Sequence, residues 1–542
     1  MQQSSSIKPA RSRAANRVLL AALGGVLLAL PCLYESWFSV GWVGFIPILY
    51  ALRGGSLKSA YLLGTLAGFV FWAAISYWLA DFAFKLKGYQ PPYNALVAAG
   101  FWLYASQSFG IILFVYQWLR QRLPVAEIFI LPVVFVAVFS LYPSLFHMRL
   151  GEGQTGWPIA LQTADITGII GLDFIMVLTS AALYALLMRL PGKRISASVT
   201  IASVLLSAWF GYGFWSLAAW DREISTWERQ RIGIVQPNDT PSISILQPAI
   251  GYSRALPPEM EMTTRLAQQG AQLVVWPEAR FKGYFEQGSV RDAFQDSVSK
   301  HGAAVLFHDL ESQTRAAGSV QYNTAALLDH SGELVGRYRK VKRFAFGEYA
   351  PVISEIPLLR RWVGRYFGEF LQEITPGDGH YTYAVAGMKL VPKICYESSF
   401  PIFMADAIGS DGQGKVIVLL SQDGWFGESR QPFQHLWQSA VRAVENRVPV
   451  IHAINNGPSG IILPNGRYVL RTTAFVRSES VADMPYASLS GGSFFSRYPR
   501  LFIGTIYSFC ALLIIFGLLV ELQRIRRSSQ VSAGSSLPSA RA

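Results

Sequence analysis

At 542 residues the chain is long enough for several folding units, and with 51% hydrophobic residues, 15 Trp and 15% charged residues it is too apolar to be a wholly water-facing protein. A net charge of +13 in such a chain points to loops facing anionic lipid, and no motif for DNA or RNA accompanies it, so nucleic acid is excluded as a partner. Of three cysteines, Cys32 and Cys510 fall inside apolar runs, which excludes a disulfide framework and leaves Cys395 alone in water-compatible sequence.

The first 17 residues are Ser-rich and basic, with Lys8, Arg11, Arg13 and Arg17. Val18 to Leu33 reads as a first membrane helix rather than a cleaved signal, because further apolar spans follow at once and no small-residue cleavage site is evident. Spans are expected at 18–35, 38–52, 59–81, 94–117, 125–146, 164–188 and 197–219, with an eighth at 501–521. Each approaches the ~20 residues that a bilayer core demands. Arg53 and Lys58, Arg120 and Arg122, Arg189, Lys193 and Arg194, and Arg524, Arg526 and Arg527 then share the cytoplasmic side with the N-terminus. Residues 221–496 fall on the opposite, periplasmic side of a bacterial inner membrane, and Lys85 and Lys87 in an outer loop run against the rule.

Between 221 and 496 the pattern changes to short strands alternating with amphipathic helices. Strands are expected at 231–236, 271–276, 303–307, 324–328, 333–338, 388–391, 415–420 and 448–453, and helices at 257–269, 400–408 and 432–446. This alternation predicts a layered α/β domain with at least one sheet face covered by helices. The domains expected are 1–17 (basic cytoplasmic N-terminus), 18–220 (seven-helix membrane domain), 221–496 (extracytoplasmic), 497–523 (last span) and 524–542 (disordered basic tail).

Three strand ends carry chemistry. Cys395, in Lys393-Ile394-Cys395-Tyr396-Glu397-Ser398-Ser399, lies at a strand-to-helix turn, where backbone N–H groups favour a thiolate and offer donors to an oxyanion. A lone cysteine is more often a small buried apolar residue. Glu278 follows a buried strand in Val274-Val275-Trp276-Pro277-Glu278, and an apolar surround that raised its pKa would fit it to take a thiol proton; an isolated Pro-Glu is more often a solvated loop. Lys340 ends Gly336-Arg337-Tyr338-Arg339-Lys340 and offers a cation to an oxyanion, although five basic residues from Arg337 to Arg343 also fit a plain basic edge.

In the order Glu278, Lys340, Cys395 these stretches resemble the nitrilase superfamily, and more closely its apolipoprotein N-acyltransferase branch. The likeness extends through Tyr322-Asn323, Phe346-Gly347-Glu348-Tyr349-Ala350-Pro351, Thr375-Pro376-Gly377, Asp423-Gly424-Trp425-Phe426-Gly427, Asn455-Asn456-Gly457 and, in the membrane part, 160–165 and 168–171. The resemblance implies an eight-span helical bundle carrying an inserted nitrilase-like α-β-β-α sandwich, working without cofactor or metal. It further implies ping-pong acyl transfer from a phospholipid, through a Cys395 thioester, to the α-amine of a diacylglyceryl-modified lipoprotein N-terminus. Glu278 would be the base and Lys340 the oxyanion partner. Glu348, Tyr396 and Glu397 would support them, and Trp425, Phe426 and Asn456 would contact substrate. Trp362, Tyr366 and Phe367 would dip into lipid.

The chain departs from that pattern at Arg280 and Lys282, two cations beside Glu278 that would depress its pKa, and at His308, Gln422 and His452. A transporter is disfavoured, since Asp81 and Asp165 are the main ionisable residues in the spans. Seven histidines without ligand spacing and the missing glycine fingerprint disfavour a metal hydrolase and a nucleotide binder. An amidase or acyltransferase acting on another amine, or a non-catalytic lipid-binding relative, remains as an alternative.

Overall fold

The computed structural model describes residues 7–188, 196–242, 247–278, 282–315, 318–345, 347–349 and 374–534. Trp362, Tyr366, Phe367, Arg280 and the 189–194 loop lie outside them. Helices α1 (Ile7–Leu33), α2 (Phe45–Ala51), α3 (Leu57–Ile75), α4 (Leu79–Lys87), α5 (Tyr93–Arg120), α6 (Glu127–Leu141), α7 (Pro158–Leu161), α8 (Ala164–Thr167), α9 (Ile169–Leu187) and α10 (Ala197–Ser225) precede an α/β unit. A last long helix, Leu501–Gly534, follows it. Apolar side chains such as Leu205, Phe214, Phe509, Leu512 and Phe516 stay exposed on the outer faces, as lipid-facing helices require.

The sequence pattern predicts eight spans. Among the described residues six helices are long and apolar enough to cross a membrane, and Glu127–Leu141 is shorter. The span expected at 38–52 is a 3₁₀-helix, Glu35–Val43, followed by the seven-residue α2. The carbonyls of Cys32 and Ile75, at the ends of α1 and α3, both accept from Gln434 Nε2, at 3.0 and 2.9 Å. The chain therefore doubles back between those points, and it does so through this broken segment.

Among the described residues the α/β unit contains twelve strands: β1 (Glu228–Gln236), β2 (Leu273–Val275), β3 (Ala304–Arg315), β4 (Gly318–Leu328), β5 (Leu334–Arg339), β6 (Tyr383–Val385), β7 (Met388–Ile394), β8 (Lys415–Ser421), β9 (Val450–Ile454), β10 (Gly460–Ile462), β11 (Tyr468–Arg471) and β12 (Ser478–Tyr486). They form two six-stranded sheets, ordered β12-β1-β2-β3-β4-β5 and β11-β10-β9-β8-β7-β6. Ile232, Leu273 and Leu306 of one meet Leu390, Val416 and Val418 of the other in a central core. The outer faces are covered by α11 (Pro258–Gln268) and α12 (Gly288–His301) on one side and α13 (Pro401–Ile408) and α14 (Gln431–Asn446) on the other. Strands β2, β8 and β9 read as near-continuous apolar runs because both their faces are buried. The result is the α-β-β-α sandwich that the resemblance implied.

Helix α14 fastens the sandwich to the bundle. Arg447, just past its end, donates to Asp165 Oδ2 at 2.9 and 2.7 Å, to the Gln162 side chain and carbonyl at 2.8 and 2.9 Å, and to Ser216 at 2.9 Å. Glu445 accepts the Ile169 N–H at 2.7 Å, where Gly168 at φ +67° breaks α8 from α9. A side chain on Gly168 would strike the Phe495 ring, so the break needs glycine.

Candidate active site

Strand β7 ends at Ile394, and Cys395 opens a 3₁₀ turn, Cys395–Ser399, that leads into α13. Cys395 has φ +50°, a left-handed conformation that costs a non-glycine residue about 1–2 kcal/mol. The turn lifts the thiol out of the sheet toward the ends of the neighbouring strands. There the thiol faces the charges of Glu278 and Lys340.

Glu278 lies three residues past β2 and Lys340 one past β5, so both reach the same end of the first sheet. The Lys340 ammonium is 3.5 Å from Glu278 Oε1 and 2.9 Å from Glu348 Oε1. Asn323 Nδ2 donates to both of those oxygens at 2.8 Å, and its own oxygen lies 2.6 Å from His308 Nε2. Burial holds the His308 imidazole below its ordinary pKa and hence neutral; with Nε2 as donor it fixes which way the Asn323 amide faces. Glu348 Oε2 accepts the Phe344 N–H at 2.7 Å and so is oriented by its own loop.

Burial raises the Glu278 carboxyl, but the Lys340 ammonium, Asn323 and the thiol outweigh it and hold its pKa below the ordinary value. The expectation that apolar surroundings bring Glu278 toward neutrality is therefore corrected: the buried cation beside it decides the sign. Burial also opposes the Lys340 charge, yet Glu278 and Glu348 raise its pKa. Burial and the Glu278 charge push the Cys395 thiol well above its ordinary value, against the pull of Lys340. At neutral pH the site thus holds a thiol, a carboxylate and an ammonium, a set that fits proton transfer on attack rather than a standing thiolate.

Residues 245–490 match the carbon-nitrogen hydrolase family, and residues 24–182 match the apolipoprotein N-acyltransferase N-terminal domain. The apolipoprotein N-acyltransferase of Geobacter metallireducens is 26% identical over 506 residues, which cover 89% of this chain and 92% of its own. That of Gloeobacter violaceus is 28% identical over 480 residues, covering 84% and 86%. Over most of its length the chain is similar to apolipoprotein N-acyltransferases. Among solved structures, an amidase from Nesterenkonia sp. is 19% identical over 51% of this chain and 97% of its own, with a TM-score of 0.34.

The residues that depart from that resemblance have partners of their own. Lys282 turns from Glu278 and pairs with buried Glu259, so the expected depression of Glu278 by that cation is corrected; Lys340 does it instead. Gln422 Oε1 accepts from Gly424 N–H at 3.1 Å and from Asn455 at 2.8 Å. His452 bridges Ser421 at 2.6 Å and Ser439 at 2.7 Å.

The candidate residues divide by position. Glu397, fully buried, accepts from Tyr338 and from the N–H groups of Val341, Lys342 and Ile394, tying the Lys340 strand end to the Cys395 turn. Tyr396 donates to the Leu145 carbonyl of the bundle at 2.6 Å. Phe426 lines, with Cys395, Phe344, Trp78, Phe146 and Met148, a cavity between sandwich and bundle. Trp425 packs at the edge of the same aromatic cluster, and Asn456 lies outside that lining. Sequence reading gave no role to Asn323, Asp423 or His435; the first two stand in quoted motifs, which is the signal that could have found them.

Proposed function

We propose that this protein moves an acyl chain from a membrane phospholipid, through Cys395, to the α-amine of the diacylglyceryl-modified N-terminal cysteine of lipoproteins. The observation that carries this reading is that Cys395, facing the charges of Glu278 and Lys340, lines a cavity walled by the apolar bundle.

In the first half-reaction Glu278 takes the thiol proton as Sγ attacks the ester carbonyl. The oxyanion of the tetrahedral intermediate faces the Lys340 ammonium, an interaction of a kind worth about 3–4 kcal/mol in a water-poor site. The C–O bond breaks, the lysophospholipid leaves with the proton from Glu278, and a thioester remains. In the second, the lipoprotein amine attacks that thioester; Glu278 takes an amine proton and returns it to the departing Cys395 sulfur, leaving an amide. Glu348 orients Lys340 throughout, and Glu397 and Tyr396 hold the turn. Residues 18–220 and 497–523 lie in the inner membrane, with 221–496 on its periplasmic face, so that the thiol meets two lipid-anchored substrates at the bilayer surface.

Mass spectrometry of lipoprotein N-termini in cells that depend on this protein tests the reading. N-acylated product is expected with the wild type and none with Cys395→Ala. Product in both defeats the mechanism; a wild-type thioester without lipoprotein product makes another amine the acceptor.

A further inference from the structure

The turn that carries Cys395 rests on a buried polar chain that the reaction above leaves unused. His435, on α14, stands 2.8 Å from Asp423 Oδ2 through Nδ1, while its Nε2 lies 2.8 Å from Ser398 Oγ and 3.2 Å from the carbonyl oxygen of Cys395 itself. Ser398 Oγ–H donates to the same carbonyl at 3.3 Å. Asp423 and Ser398 are fully buried and His435 is 5% exposed. The His435 ring meets His452 edge-on at 4.7 Å between centroids, and His452 is fixed by Ser421 and Ser439.

We propose that Asp423, His435 and Ser398 form a positioning relay that grips the backbone carbonyl of Cys395 and thereby holds the nucleophile in its left-handed conformation, with Sγ aimed at Glu278. A strained φ persists only where its surroundings over-determine it. On the N-terminal side Glu397 does this through the Ile394 N–H at 2.8 Å. On the C-terminal side the carbonyl of Cys395 is the handle, and the two side-chain donors reaching it both belong to this relay. The Cys395 carbonyl oxygen can only accept, so its 3.2 Å contact calls for the hydrogen on Nε2; burial opposes a charged imidazole, and the Asp423 carboxylate at Nδ1 raises the His435 pKa against it. Asp423 and Ser398 are absent from the cavity lining, and His435 reaches its edge beside Cys395; the relay acts through Cys395. If the carbonyl rotates, the thiol swings from the carboxylate that must deprotonate it, and the chemical step slows.

This inference rests on Cys395 as the nucleophile, so the test measures acyl-enzyme formation in the detergent-solubilised full-length protein with phosphatidylethanolamine as donor, beside Ser398→Ala, His435→Gln and His435→Ala. Glutamine retains an N–H able to reach the Cys395 carbonyl, and alanine does not. The expected result is a fall in kcat of roughly 30- to 100-fold for His435→Ala, partial rescue to within about 10-fold by His435→Gln, and about a 5-fold fall for Ser398→Ala, the last with KM within 2-fold of wild type. Absence of thioester in the wild type defeats the proposed function itself. A wild-type thioester with unchanged rates in Ser398→Ala and His435→Gln overturns the relay. It is equally overturned if all three variants lose kcat, KM and thermal midpoint together, or if glutamine is no better than alanine.

Discussion

The phenol of Tyr338 donates to both carboxylate oxygens of Glu397, at 2.8 and 2.7 Å, inside the core between the sheets. The same two oxygens accept the N–H groups of Val341 at 2.8 Å, Lys342 at 3.0 Å and Ile394 at 2.8 Å. Every group aimed at Glu397 is a donor, which only an ionised carboxylate satisfies. Glu397→Gln places an NH₂ against at least one of them in either amide orientation. The expected loss is about 2–4 kcal/mol of stability and at least 100-fold in acyl-enzyme formation, since the Lys340 and Cys395 segments are no longer tied. Thermal unfolding and single-turnover acylation measure the two effects; wild-type acylation in Glu397→Gln would break the link between this carboxylate and the site.

Glu278→Gln should separate reactivity from catalysis. The wild-type thiol is held well above its ordinary pKa of 9.0 by burial and by the Glu278 charge, with Lys340 pulling the other way. Removing the carboxylate leaves the Lys340 cation in place, so the midpoint for alkylation by iodoacetamide should move to lower pH while acyl transfer collapses. The wild-type Glu278 pKa is depressed below the ordinary 4.5. Its ionised form therefore stabilises the folded chain at neutral pH, a contribution lost only as pH falls through the depressed value, and the acid limb of acylation set by Glu278 lies below pH 4.5. An alkylation midpoint that rises in Glu278→Gln would contradict this electrostatic reading.

Sequence periodicity found the sandwich because β2, β8 and β9 are buried on both faces and read as apolar runs, and the three strand-end residues stood in motifs. It missed β12, Ser478–Tyr486, whose polar pattern becomes a strand only by pairing antiparallel with β1 across most of the domain's sequence. It also read α14 as an ordinary amphipathic helix. The polar face of such a helix is normally solvated, but here Gln434, Gln438, Arg442 and Glu445 are buried against the bundle. Gln434 reaches the helix-end carbonyls of Cys32 and Ile75, Gln438 the His147 carbonyl and Glu445 the Ile169 N–H, while Arg442 pairs with Glu445, contacts invisible in a hydropathy pattern. For the same reason the broken segment 35–51 passed as a uniform apolar span: a 3₁₀ turn and an α-helix differ in backbone, not in composition.

Arg447 and Asp165 supply a test of the bundle–sandwich joint. Both are buried, and their pairing is backed by Gln162 and Ser216. Arg447→Met strands the Asp165 charge and should cost about 3–5 kcal/mol; Asp165→Asn strands the guanidinium at similar cost. The double variant removes both charges and should regain a large part of the loss. Thermal unfolding midpoints of the four proteins in one detergent give the coupling, and strict additivity would show that the pair does not hold the joint.

Lys85, which the charge rule leaves unexplained, makes a local contact: its ammonium donates to the Gly424 carbonyl at 3.0 Å, in the turn that carries Phe426. Two residues on, Phe426 stacks on Phe82 of α4 with centroids 5.1 Å apart and meets Trp78 edge-on at 4.9 Å, closing one wall of the cavity at Cys395. Phe426→Ala deletes a buried ring, a change that typically costs about 3–5 kcal/mol, and opens that wall to water. Water admitted beside a thioester competes with the amine, so the variant should hydrolyse its acyl-enzyme faster while forming it about 10-fold more slowly. Phe426→Leu refills most of the space and should stay within about 3-fold of wild type. Chasing a labelled acyl-enzyme without acceptor reads the hydrolysis directly, and a thioester in Phe426→Ala as long-lived as the wild type's would remove this ring from the account of how the site stays dry.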